Sequence, residues 1–186
     1  MNATPQAVLE FWFSSEAEAR WFSSTPSFDA RVAQRFGSTA RELARGPFPH
    51  PVWESGPEPA LALIIMLDQF PRNMFRGTGK AYAWDDRALG VAGRTVDRGW
   101  DMEVEPSRRK FVYMPFMHAE DLAAQERCVA LCRERLDDGG ATLRFAREHR
   151  DIIARFGRFP HRNDELGRDT TAEEAAFLEA GGFNPD

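Results

Sequence analysis

The sequence predicts an all-α fold of stacked antiparallel helical pairs, about seven or eight helices in all. Three observations carry this. Apolar residues recur three or four apart along most of the chain, capping residues stand at the heads of those runs, and the apolar-polar alternation of a half-buried strand is nearly absent. At 186 residues, with 42% hydrophobic and 12% aromatic content, the chain can bury a sizeable core and reads as a single helical domain over 1–186.

The elements follow in order. "EFWF" and "RWFSS" near the N-terminus place Trp12, Phe13, Trp21 and Phe22 in a core or a hydrophobic lid, with an exposed aromatic interface as the other reading. "FDARVAQRFGSTARELARG" repeats the helical pattern around residues 28 to 45. "SGPEPALALIIMLDQF" opens with Ser55 three before Glu58, the spacing of a capping box, and with Pro57 in the first turn, where a missing N–H costs nothing. This helix is expected to falter at Pro71, which cannot donate and pushes Phe70 out of the α region, leaving "FPRNMFRGTGKAY" as an ordered connection. Asp85 or Asp86 caps the next helix, which ends near Gly99. Further helices span roughly 119 to 137, stopping at Gly139-Gly140, and about 141 to 157, where Leu143, Ala146, His149, Ile153 and Phe156 share one face. Thr170 and Thr171, three before Glu173 and Glu174, start a short last helix through Leu178.

Bulk chemistry narrows the partners. A net charge of −5 and a pI near 5.5 argue against nucleic acid or an anionic membrane as the main partner, since both reward a large basic excess. A small anionic molecule or a peptide remains open. Of the 24 basic residues only Lys80 and Lys110 are lysine, and arginine's planar fork suits carboxylates and phosphates, although codon bias explains the same count. Cys128 and Cys132, the only cysteines, lie four apart on one helix and read as buried thiols in a reducing compartment. "MNATPQAVLEFWF" lacks the basic region and cleavage site of a signal peptide, so the expected location is the cytoplasm.

"IIMLDQFPRN" from Ile64 and "IIARFGRFPHRN" from Ile152 echo one another: an Ile pair, then Phe-Pro, then Arg-Asn. A duplication of helical pairs and coincidence both account for it. Together "LALIIMLDQFPRNMFRGT", "RKFVYMPFMHAEDLAAQE" and "HRDIIARFGRFPHRNDELGRDTTAEEAAFL" resemble the bacterial family catalogued as domain of unknown function 924, over nearly the whole chain from "VLEFWF" to "FLEAGG". The resemblance implies an all-helical domain related to tetratricopeptide-like superhelices, and it implies no settled activity. Such folds present a concave face that holds peptides or other extended partners. Two positions depart from the family pattern as we know it: Ala119 stands where a serine is expected, and Trp84 where a small polar residue is common. A mechanism needing a serine hydroxyl at 119 does not fit this chain.

Several residues could carry chemistry, and each has a plainer reading. His149 sits mid-stripe and reads as a satisfied core residue. His118 stands at the expected start of a helix with Glu120 and Asp121 behind it, which reads as capping, as a base oriented by a carboxylate, or as a metal ligand that needs a second histidine nearby. His161 lies between Pro160 and Arg162. No spacing matches a metal motif, and neither metal nor cofactor is expected. "RGTGKA" fails as a phosphate loop, because Met74 and Ala81 occupy the positions that need glycine and serine or threonine. A serine hydrolase is not indicated, for there is no Gly-x-Ser-x-Gly and Ser107 is the only serine after Ser55.

Asp68 continues the buried stripe of Leu61 and Ile64, and an unpaired carboxylate there would be expensive, so it must meet a cation or backbone donors. Two accounts follow. In one, Asp68, Glu120 and Asp121 pair with Arg72, Arg155, Arg158 and Arg162 and fasten irregular segments to the helices. In the other, surplus arginines converge on an anion: Arg72, Asn73, Arg76, Arg162 and Asn163 line one pocket walled by Phe75, Tyr113 and Phe159, and Asp68, His118, Arg158 and His161 complete the expected ligand-binding set. Catalysis, if present, would run through His118 or His161, tuned by Glu120, Asp121 or Asp68, in a hydrolase or lyase. Both accounts require two proline-containing segments, distant in the chain, to fold back beside the His-Glu-Asp segment.

Overall fold

A computed structural model describes residues 3–182. Among these residues the chain is all-helical, with no strand. The helices are α1 (Pro5–Trp12), α2 (Ser15–Glu18), α3 (Pro26–Arg45), α4 (Pro57–Ile64), α5 (Phe70–Met74), α6 (Asp85–Asp97), α7 (Lys110–His118), α8 (Leu122–Arg135), α9 (Ala141–Phe156), α10 (Asn163–Leu166) and α11 (Ala172–Glu179). The tally exceeds the expected seven or eight because short turns such as α2 and α10 are too brief to show periodicity.

The core is built around α4. Every residue from Ala60 to Pro71 is buried, so this segment is enclosed on all sides rather than along one stripe, with Asp68 and Gln69 its polar members. It packs on α1, α6 and α7, while α6 to α9 pack each on the next. Aromatic rings close one side: Trp12 lies edge-on to Phe70 and Phe111 at 5.6 and 5.9 Å, and Trp21 caps Phe111 at 4.8 Å. Each such ring, fully buried, contributes on the order of 2–3 kcal/mol. Phe22 departs from the core-or-lid reading and is 74% exposed.

Three local expectations need correction. Ser55 does not cap α4: its hydroxyl donates to the Val52 carbonyl at 2.9 Å, and Gly56 precedes Pro57 with no side-chain cap. The chain does not leave the helix at Pro71. It widens first into a π-turn over Ile65–Gln69, in which the Phe70 N–H bonds the Ile65 carbonyl, and Pro71 then opens α5, where no N–H is needed. Phe70 keeps helical angles, φ −63° and ψ −35°. Finally, α7 lies outside the expected helices, because Pro115 interrupts its pattern, and it makes His118 the last residue of a helix rather than the first of the next. Asp121 caps α8, accepting from the Ala124 N–H at 2.7 Å.

Other expectations hold. Gly99 and Gly157, at φ 72° and 70°, end their helices in the left-handed region that suits glycine. Thr171 and Glu174 form a reciprocal capping box at α11. No helix among the described residues is long and apolar enough to cross a membrane.

Candidate functional site

The π-turn turns Asp68 toward the end of α7. Its side chain is fully buried, and its Oδ1 lies 2.8 Å from Nδ1 of His118, with Gln69 Nε2 donating to Oδ2 at 2.6 Å. Arg72, one turn on, donates to the backbone carbonyl of Asp68 and stands 3.5 Å from its carboxylate. Burial alone would push the carboxyl up, but the charges of His118 and Arg72 and the hydrogen bonds from His118 and Gln69 outweigh it and hold Asp68 well below the usual carboxylate range. An ionised carboxylate only accepts. Nδ1 of His118 therefore carries the proton, and in the neutral ring Nε2 keeps the lone pair.

The backbone around His118 is fixed from two sides. Gln125, fully buried on α8, donates to the carbonyls of Met117 at 2.6 Å and Ala119 at 2.8 Å. Arg162, from the 3₁₀ turn Pro160–Arg162, donates to the His118 carbonyl at 3.0 Å. Its guanidinium carbon lies 4.4 Å from the ring centroids of both Tyr82 and Phe159. Arg72 pairs with Asp85 at 3.0 Å, and Arg162 approaches the same carboxylate oxygen at 3.6 Å. Burial first, then the charge of Arg72, lowers the pKa of Arg162.

Two further histidines line this compartment. His149 is buried, and its Nδ1 donates to the Phe145 carbonyl at 2.8 Å. Burial, with the charge of His118 second, pushes it down to about 3, so it is neutral near pH 7. Its ring lies 6.3 Å from that of His118 and 5.6 Å from Phe159, which is in turn 5.6 Å from His161.

The structure thus brings Asp68, Arg72, His118 and Arg162 together, with His161 set against the ring of Phe159 at 5.6 Å, and the two proline-containing segments do fold back beside the end of α7. Others of the expected set go elsewhere. Asn73 and Arg76 turn to α3, donating to Asp29 at 2.7 and 2.9 Å. Arg158 and Asn163 tie down α11: Arg158 forks onto Glu174 at 2.6 and 2.8 Å, and Asn163 reaches Thr170 at 3.2 Å. Glu120 accepts from the Phe159 N–H at 2.8 Å and pairs with Arg168, while Asp121 only caps. The carboxylate that orients His118 is instead Asp68, fifty residues away in sequence. Arg155 pairs with Glu173. Tyr113 is no wall of the site, since its hydroxyl donates to buried Asp101 at 2.7 Å. A single pocket shared by Arg72, Asn73, Arg76, Arg162 and Asn163 is therefore not formed.

Sequence reasoning missed Tyr82, Gln125 and Arg168, and read Asp85 as a cap. A first-turn aspartate carries no mark that distinguishes a cap from an ion-pair partner, and Gln125 sits in an ordinary helical run. Among the described residues no three of His, Cys, Asp and Glu are placed to hold a metal ion.

A family described as "Bacterial protein of unknown function (DUF924)" matches residues 8–182. The solved structure of a protein of unknown function from Agrobacterium tumefaciens, ATU0120, is 42% identical and superposes with a TM-score of 0.84, covering 95% of this chain and 97% of that one. No curated protein matches.

Proposed function

The chain belongs to the bacterial family of unknown function DUF924, and on that footing we propose that it is an enzyme whose acid/base centre is His118, oriented by Asp68. One observation carries the reading: the 2.8 Å contact between His118 Nδ1 and the fully buried side chain of Asp68. A carboxylate in that place fixes the ring tautomer, leaves Nε2 as the base, and stabilises the imidazolium once a proton is taken. His118 keeps 14% of its side-chain surface, as a group that meets a ligand must. The π-turn beneath it supports the same reading, because such turns occur frequently at functional sites.

The reaction class that suits these groups is a proton-transfer step of a hydrolase or lyase. In this reading Arg72, Arg162 and His161 serve the same compartment, and the partner is a small molecule rather than nucleic acid or a membrane surface, consistent with the charge of −5. Two free thiols, Cys128 and Cys132, with sulfurs 3.9 Å apart, support a reducing, cytoplasmic setting. A binding role without chemistry is the second reading, and it rests on the paired guanidiniums of Arg72 and Arg162.

The test is a comparison of wild type with His118→Gln in a bacterial metabolite extract followed by mass spectrometry. A metabolite consumed by wild type should be spared by about 10²- to 10⁴-fold in the variant. Identical profiles for two equally folded proteins would remove the catalytic reading.

A further inference from the structure

A guanidinium presents five donors in its plane, and a buried one needs acceptors for them. Arg162 is 5% exposed. Its NH1 donates to the His118 carbonyl, yet its Nε is enclosed and has no hydrogen-bond partner among the described residues. Leaving a charged donor empty in a closed place is costly, so such a donor calls for a ligand atom. Among the described residues the carboxylate that reaches Arg162 in an ion pair is Asp85, at 3.6 Å, and Asp85 is already held by Arg72 at 3.0 Å. Asp68 is likewise occupied by His118 and Arg72. Glu120, the other carboxylate whose charge acts on Arg162, is paired with Arg168, so an incoming oxyanion meets two guanidiniums whose counter-charges are held elsewhere.

We infer that Arg162, with Arg72 beside it, receives a small oxyanion, the phosphate or carboxylate group of the substrate, next to His118. The inference deepens the proton-transfer reading and rests on it for what the anion is doing there. The flat guanidinium of Arg162, set against Tyr82 and Phe159, offers its free edge to planar or tetrahedral oxygens, the geometry in which arginine discriminates best. Asp85 holds 13% of its side-chain surface exposed and occupies the arginine pair until the ligand competes with it.

Calorimetric titration of the full chain with sodium phosphate and with sodium acetate, at constant ionic strength against a chloride control, tests this. Wild type is expected to bind one of them saturably; phosphate alone or acetate alone identifies which group the site takes. Asp85→Asn, which removes the counter-charge that the two guanidiniums share, should bind about threefold tighter or better, and Arg162→Lys, which loses the fork, at least about tenfold weaker. A network that only fastens helices would give no such gain in Asp85→Asn. Absence of saturable binding to both wild type and Asp85→Asn overturns the inference, as does unchanged affinity in a folded Arg162→Lys; should that variant not fold, the first two proteins decide. His118→Gln separates this from the catalytic reading: normal anion binding with an unchanged metabolite profile sinks the proton-transfer proposal and leaves the anion site standing.

Discussion

Arg72 and Arg162, from the two Phe-Pro segments that echo each other in the sequence, close on one oxygen of Asp85, at 3.0 and 3.6 Å. The echo ends at the side chains. The first segment stays helical through its proline, whereas the second breaks at Gly157 and re-enters as a 3₁₀ turn.

Because Asp85 is the shared counter-charge, its removal should be felt by both arginines. Asp85→Ala is expected to cost about 2–4 kcal/mol, since it leaves partly buried cations without their partner. A double-mutant cycle with Arg72→Met, read by urea unfolding, should show a coupling of about 1–3 kcal/mol. Additive losses would mean that the 3.0 Å pair contributes nothing of its own.

His149 makes stability depend on mild acid. Its folded pKa of about 3 lies below the ordinary 6.5, so between those values the unfolded chain binds a proton that the folded one refuses. Stability is then complete above pH 6.5 and falls as pH drops toward 3, with a slope approaching about 1.4 kcal/mol per pH unit. Urea unfolding of wild type and His149→Leu from pH 7 to 4.5 checks this: the slope in that window should flatten in the variant.

Asp68 acts in the same sense at lower pH. Its folded pKa is held down, so its contribution is present above the unfolded value of about 3.8 and is lost as pH falls further. Asp68→Asn should unfold about 3–5 kcal/mol more easily at pH 7, and the gap to wild type should narrow on acidification below pH 4. A gap that stays constant down to pH 2 would show that Asp68 is not held ionised.

Gln125 positions His118 without touching a substrate. Gln125→Leu keeps the volume but frees the Met117 and Ala119 carbonyls, at a cost of about 1–3 kcal/mol in melting experiments. If the end of α7 then shifts, turnover of the metabolite identified with wild type should fall through kcat with KM little changed, a split that lost stability alone would not give.

Thr171→Ala removes one arm of the capping box and should cost about 1 kcal/mol by thermal unfolding. The pair of Glu174 with Arg158 survives that change, so the loss should stay well below that of Glu174→Ala, which removes the other arm of the box and the ion pair together.

Most of the helices were legible because their signals are local. A periodic stripe marks α9, a proline at the first turn marks α4, and Thr171 with Glu174 marks α11. Local signals also misled: Ser55 has the capping spacing without the cap, and Pro71 has the chemistry of a helix breaker without the break. At Pro71 burial of the surrounding apolar residues overrode a preference worth a few kcal/mol at most, whereas exposed Ser55 spends its hydroxyl on the Val52 carbonyl instead.

The site divides along the same line. That Asp68 must find a cation, and that Phe-Pro-Arg-Asn segments carry guanidiniums, follows from residue chemistry alone, because a buried charge cannot be left unpaired at any position in any fold. Which partner each one finds is not contained in the sequence pattern. His118 meets Asp68 rather than its neighbour Glu120, Asn73 and Arg76 turn away to Asp29, and Asp85 joins Arg72 to Arg162. Those choices belong to the packing of α4, the π-turn and α7 around a common core, since hydrogen bonds reach about 3 Å and only the three-dimensional path decides which side chains come that close.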